Sequence, residues 1–219
     1  MMIFENSFDQ ITIPDNESVR MIDQYWHGSW SKTIKVGTGA KLHYLIIMKE
    51  EVELNLRVES VWEWAEIFVK GLLLAKDGSK LKLTAHAHLM HNHAEADLHL
   101  VSFLQNGSET EVDGGVDLHE GVSKISGHLL EENIVLGEDI KIKTLPMLDV
   151  HSSDVSASHG CRITKLDPGK MFYMRSKGLS KEQAEELMIR GYFEQVFEWN
   201  QGDEIDTLKE WYLDYLLWA

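Results

Sequence analysis

From about residue 31 to residue 166 apolar and polar residues alternate with period two, and this pattern limits the chain more than any other. In residues 52–58 (VELNLRV) every second side chain is apolar. Ala65, Ile67, Val69, Leu73 and Ala75 share one parity, and so do Leu81, Leu83, Ala85, Ala87 and Leu89. Ala94, Ala96, Leu98 and Leu100 alternate with Glu95, Asp97 and His99. Period two places side chains on opposite sides of a strand, one buried and one wet. Turn signals separate the runs at Gly37 and Gly39, Asp77-Gly78, Asn106-Gly107, Gly114-Gly115 and Gly137. The zone therefore reads as eight or more strands without a helix. Asp77-Gly78 and Asn106-Gly107 suit tight hairpins and antiparallel pairing, whereas the small residues Ala85, Ala87, Ala94 and Ala96 suit a narrow stacked solenoid. No hexapeptide repeat and no fixed longer period is visible. On pattern alone barrel, sandwich and solenoid remain open.

The flanks differ. Residues 1–30 form a mixed N-terminal segment, 31–166 the β-core, and 167–219 a helical region. Ser180 and Gln183 make a capping box ahead of Ala184, Leu187 and Met188. A further helix is expected over residues 206–217, with Leu208, Trp211, Tyr212, Tyr215 and Leu216 on one stripe. The tail also holds Phe193, Phe197, Trp199 and Trp218. So much aromatic surface either seals the β-core or meets a partner protein.

Composition excludes several classes of function. Lys and Arg number 21 against 36 Asp and Glu, a net charge of −15. That opposes binding to a nucleic-acid backbone or an anionic membrane surface. The N-terminus, MMIFENSFDQ, lacks the positive region and apolar stretch of a signal peptide. No run approaches the roughly 18 apolar residues of a membrane helix. A soluble, cytoplasmic protein is the expectation. The single cysteine, Cys161, rules out an internal disulfide and any multi-thiolate metal site within one chain.

Two clusters could carry chemistry. His86, His88, His91, His93 and His99 lie close in sequence with Glu95 and Asp97. Imidazole is a good ligand for zinc, copper, iron or nickel. His86-x-His88 followed by a Glu resembles the metal motif of cupins, which makes a metal-dependent β-barrel enzyme the alternative reading. Against it, the Glu is displaced, the second cupin motif is missing, and the alternation puts these histidines on the solvated side. The other cluster is Asp154-Val155-Ser156-Ala157-Ser158-His159-Gly160-Cys161. His159 and Cys161 are two apart, so a regular strand points both to one side, as shared ligands more than as a nucleophile and its base. Phosphate loops and nucleophile elbows are missing.

Four ordered segments carry a resemblance. They are residues 127–137 (GHLLEENIVLG), 143–150 (KTLPMLDV), 154–160 (DVSASHG) and 172–180 (FYMRSKGLS). The last three resemble the patterns K-x-x-P-x-L-E-V, D-V-x-x-S-H-G and F-Y-L-x-S-R-G-L-S of the SufB/SufD family, scaffolds of iron–sulfur cluster assembly. The resemblance implies a right-handed parallel β-helix with C-terminal α-helices, and a non-catalytic protein. It implies a SufC-like ABC ATPase docking on the C-terminal helices, with Arg175, Phe193, Phe197 and Trp199 as contact candidates. It also implies a homodimer, or a heterodimer with a SufB or SufD relative, and a transient iron–sulfur cluster. His159 matches the SufD histidine implicated in assembly at the dimer interface. The essential SufB cysteine falls in the strand matching residues 131–137, where this chain has none and Glu131 lies nearest. The glutamate that follows the matching histidine in SufB is Gly160 here. The chain is thus similar to SufD, and His159, Cys161 and Glu131 are the cluster-assembly candidates. Family members are typically longer, with an N-terminal helical domain for which this chain has no room.

Overall fold

Alternating strands bury one side each, and the structure shows how they share one core. The computed structural model describes residues 2–4, 8–199 and 202–218. Two short strands, β1 (Met2–Phe4) and β2 (Gln10–Ile13), precede ten further ones. These are β3 (Ser18–Val36), β4 (Lys41–Ser60), β5 (Glu66–Ala75), β6 (Lys80–Leu89), β7 (Glu95–Leu104), β8 (Glu109–Leu118), β9 (Ile125–Val135), β10 (Lys141–Thr144), β11 (Met147–Val150) and β12 (Val155–Lys165). Every pairing is parallel. The chain winds as a right-handed parallel β-helix of about four turns.

The coil has two faces. The long strand β4 crosses from one to the other at Glu50, whose φ is 67°. Its residues 41–49 lie beside β5 and its residues 51–60 beside β6. Face one then runs β5, β7, β9, β12, and face two runs β6, β8, then β10 and β11. Leu42, Tyr44 and Ile46 on face one meet Leu54, Leu56 and Val58 on face two in the interior. The first full strand begins at Ser18, ahead of the boundary expected near residue 30, because Met21 and Tyr25 already point into this core.

The glycine turns do not make hairpins. Asp77-Gly78 and Asn106-Gly107 are corners of successive coils, one above the other. The Gly78 N–H donates to Asn106 O (3.1 Å), and the Gly107 N–H donates to Glu138 O (3.0 Å). A corner needs a left-handed residue just as a hairpin does, so the same residues serve both. The opposite corner repeats a left-handed residue at Gly39, Trp64, His93 and Lys124. The backbone N–H of each donates to a carbonyl of the next coil.

Face one is covered on its outer side. Leu45, Ile47, Leu72, Leu74, Val101, Phe103 and Ile134 point outward yet are buried, which interrupts the strict alternation. Their cover is α2 (Lys181–Phe197) and α3 (Asp203–Trp218). A shorter helix, α1 (Pro168–Ser176), precedes them, capped by Asp167. The capping box of Ser180 and Gln183 is present at the start of α2. Phe193 and Phe197, expected at a partner surface, are part of this second core, 0% and 2% exposed. The side chain of Trp218 lies outside the described residues.

Candidate functional site

The last coil is incomplete. Strand β12 stacks on β9, but no face-two strand follows it before α1. Its interior-facing residues continue the parity of Val155 and Ala157, which pack on the core, to His159 and Cys161. Beyond the end of the core these two are exposed. Cys161 lies in register with Glu131 on β9, so the three candidates come to one end of the helix.

Glu131 points into the interior and is 1% exposed. Its Oε1 accepts from the Gly114 N–H at 2.9 Å, and its Oε2 accepts from the Thr144 hydroxyl. Room for the carboxyl exists because residue 114 is glycine: a Cβ there would lie 2.5 Å from Oε1. Burial raises the Glu131 pKa, while the bonds from Thr144 and Gly114 pull against it. The Cys161 thiol donates to Thr144 Oγ1 at 3.5 Å, and His159 Nδ1 lies 3.1 Å from Pro146 O. Thr144 therefore links an exposed thiol to a buried carboxyl, a role no sequence motif announces. Thiol and imidazole are soft and borderline donors, suited to iron and to sulfur-bearing species.

The histidine-rich stretch does not form one cluster. His86 and His88 lie on the outer side of face two, His91 and His93 at a corner, and His99 on face one. His91 and His93 stack on Trp62 and Trp64, with ring centroids 5.5 and 3.8 Å apart. His99 Nε2 meets Glu132 Oε2 at 2.7 Å. His86 leans over Gly115 to Asp113, 3.0 Å from Oδ1. Among the described residues His86 joins no group of three ligand atoms, whereas His88 does, with Asp117 and His119. Burial, followed by the charge of Arg57, lowers the His88 pKa against the pull of Asp117. The all-parallel coil excludes the cupin-like barrel on which the alternative reading of His86 and His88 as metal ligands rested.

On the helices, burial removes Phe193 and Phe197 from any contact surface. Trp199 is half-buried, against Phe68 and His43, with Lys70 over its ring. Arg175 is exposed on α1. Phe172 (76%) and Tyr173 (61%) on α1 and Leu187 (52%) on α2 are exposed apolar side chains of the same two helices. Among the described residues no helix is long and apolar enough to cross a membrane.

Residues 23–192 match the family model described as SUF system FeS cluster assembly, SufBD core domain. The iron–sulfur cluster assembly protein SufD of Escherichia coli (strain K12) is 26% identical over 85 residues, 39% of this chain and 20% of that protein. SufD of Bacillus subtilis (strain 168) is 30% identical over 79 residues, 36% of this chain and 18% of the relative. An iron–sulfur cluster assembly SufBD family protein of Archaeoglobus fulgidus is 25% identical over 181 residues, 76% of this chain and 47% of the relative. The matches thus span less than half the length of these curated relatives.

Proposed function

The chain belongs to the SufBD family of iron–sulfur cluster assembly proteins, and from that premise we propose that it is a non-catalytic scaffold subunit on which a cluster is built. The observation that carries this reading is the open end of the β-helix. There Cys161 and His159 project past the last complete coil, with Thr144 and the buried Glu131 behind them. A second chain meeting this end, either another copy or a SufB/SufD relative, would bring further donors to the same seam. Among the described residues strand β12 pairs with β9 alone, and β10 and β11 with β8 alone. Their outer edges offer unpaired backbone groups to such a partner. The cluster is cargo, assembled here and passed on.

The partner supplying energy in this reading is a SufC-like ABC ATPase docked on the helical layer. Burial of Phe193 and Phe197 moves the contact outward to Phe172, Tyr173, Arg175 and Leu187 on the exposed side of α1 and α2. These residues combine exposed aromatic and aliphatic surface with an arginine, the composition of an interface centre.

The test is anaerobic coexpression with an ABC ATPase encoded nearby, followed by pull-down and by iron and acid-labile sulfide analysis. The expected result is a complex carrying both, with labile sulfide lost in His159→Ala and docking lost in Phe172→Asp. If Cys161→Ala assembles as much sulfide as the parent chain while His159→Ala does not, the thiol has no part. A complex that never carries sulfide overturns the scaffold reading.

A further inference from the structure

Two Asp-x-His segments, Asp117-Leu118-His119 and Asp149-Val150-His151, end the face-two strands of successive coils. They stack in register, Asp149 beside Asp117 and Asp117 beside His88. Parallel stacking thus makes a column on the outer surface of the helix, on the face the helices leave uncovered, which reaches the last face-two strand at Asp149. In it His88 Nδ1 lies 3.1 Å and His119 Nε2 lies 3.2 Å from the same oxygen, Asp117 Oδ2. The three ligand atoms lie within 4.8 Å of one another. His119 Nε2 and Asp117 Oδ1 are shielded from solvent and have no hydrogen-bond partner.

From this geometry we propose that His88, Asp117 and His119 form a binding site for one divalent first-row transition ion, of the zinc or ferrous type. Two imidazoles and one carboxylate are the donor set these ions take, and they leave one or more positions open. Ligands at 2.0–2.1 Å around a tetrahedral ion stand about 3.3 Å apart. The two spacings to Asp117 already lie near that value, and the two histidines lie within 4.8 Å of each other, so an ion closes the third side by drawing the two rings together. It would also engage His119 Nε2, which now stands beside Asp117 Oδ2 without a hydrogen bond. The backbone holds the ligands in place: His88 and Asp117 are on paired strands, and the His119 N–H donates to Leu89 O at 3.1 Å. His151 pairs with Asp149 at 2.9 Å on the next coil and borders the site without belonging to it.

The proposal does not depend on the assembly role. It is tested on the purified full chain, stripped with chelator and titrated with Co(II) in a non-coordinating buffer. Visible absorption follows the coordination, and Zn(II) is then used to displace the cobalt. One Co(II) per chain is expected, with the intense bands of a low-coordinate ion that vanish on adding Zn(II). Affinity should fall roughly tenfold or more in His119→Ala, whose side chain sits at a turn, and in His88→Ala. His27→Ala, distant and exposed, and His151→Ala should both titrate like the parent. Circular dichroism of each variant separates ligand loss from unfolding. No saturable band, or binding that survives both His88→Ala and His119→Ala, overturns the site. Loss of binding in His151→Ala but not in His119→Ala does the same.

Discussion

Replacing Gly114 by alanine tests whether the buried carboxyl is seated as described. The backbone at 114 is not in the left-handed region, so only space opposes a side chain there. The new Cβ would lie 2.5 Å from Glu131 Oε1, 2.9 Å from Leu129 Cδ1 and 3.2 Å from Leu100 Cδ1. The leucine methyls can turn aside. The carboxyl is held on its other side by Thr144, so moving it breaks the 2.9 Å bond from the Gly114 N–H. Overpacking a core by one methyl costs about 1–3 kcal/mol, and leaving a buried hydrogen-bonding group unsatisfied about 1–3 kcal/mol. Gly114→Ala should therefore destabilise the chain by about 3–5 kcal/mol. Equilibrium urea unfolding, followed by tryptophan fluorescence, reads the change. Removing the carboxyl removes the conflict, so Gly114→Ala with Glu131→Ala should fall short of additivity by about 2 kcal/mol. Stability of Gly114→Ala within about 0.5 kcal/mol of the parent would refute the reasoning. Strict additivity in the double variant would do so as well.

Phe193→Ala should cost about 3–5 kcal/mol in the same assay, because the ring is fully buried 5.5 Å from Phe103; an unchanged midpoint would mean the helical layer is not part of the cooperative core. Lys124→Gly should stabilise by about 0.5–1 kcal/mol, since lysine at φ 55° bears the left-handed penalty that glycine avoids; a loss of stability would show that the lysine side chain outweighs it. The raised Glu131 pKa sets a pH dependence. Between the ordinary carboxylate pKa and the raised folded one, the folded chain holds a proton that the unfolded chain has released. The contribution of Glu131 is therefore complete at low pH and lost as pH rises through the folded pKa. Glu131→Gln should gain on the parent across that window, and a constant difference in unfolding midpoint would contradict it.

The strands and their buried sides were legible because alternation in residues 52–58 and 81–89 reports local geometry directly. Pairing direction was not. Asp77-Gly78 and Asn106-Gly107 satisfy a backbone need that hairpins and coil corners share, and only the segment on the next coil decides between them. The repeat was hidden for a related reason. Its left-handed corner is filled by Gly39, Trp64, His93 and Lys124 in turn. The spacing between starts of face-one strands also grows, from 23 residues between Ser18 and Lys41 to 30 between Ile125 and Val155. The resemblance resolved what periodicity left open. One local signal of the helical cover was present: the unbroken apolar runs at 45–48 and 72–75 meant that face one is buried on both sides. Glu131 and Cys161 stand 30 residues apart and in register, which is visible only once the coil length is known. The paired Asp-x-His segments needed the same knowledge. Thr144 carries no motif at all.

A coil that touches only the coils before and after it is held by nearest-neighbour terms, as in other solenoids. Strand β12 has one such neighbour, and its residues are mostly exposed where those of β5 and β7 are mostly buried. Amide protection should therefore decline toward this end, with β12 opening at a small fraction of the global free energy. His159 and Cys161 thus sit on the loosest rung of the ladder. A chain that stacks on that rung gives it the second neighbour it lacks, so association and ordering of the donors become one event.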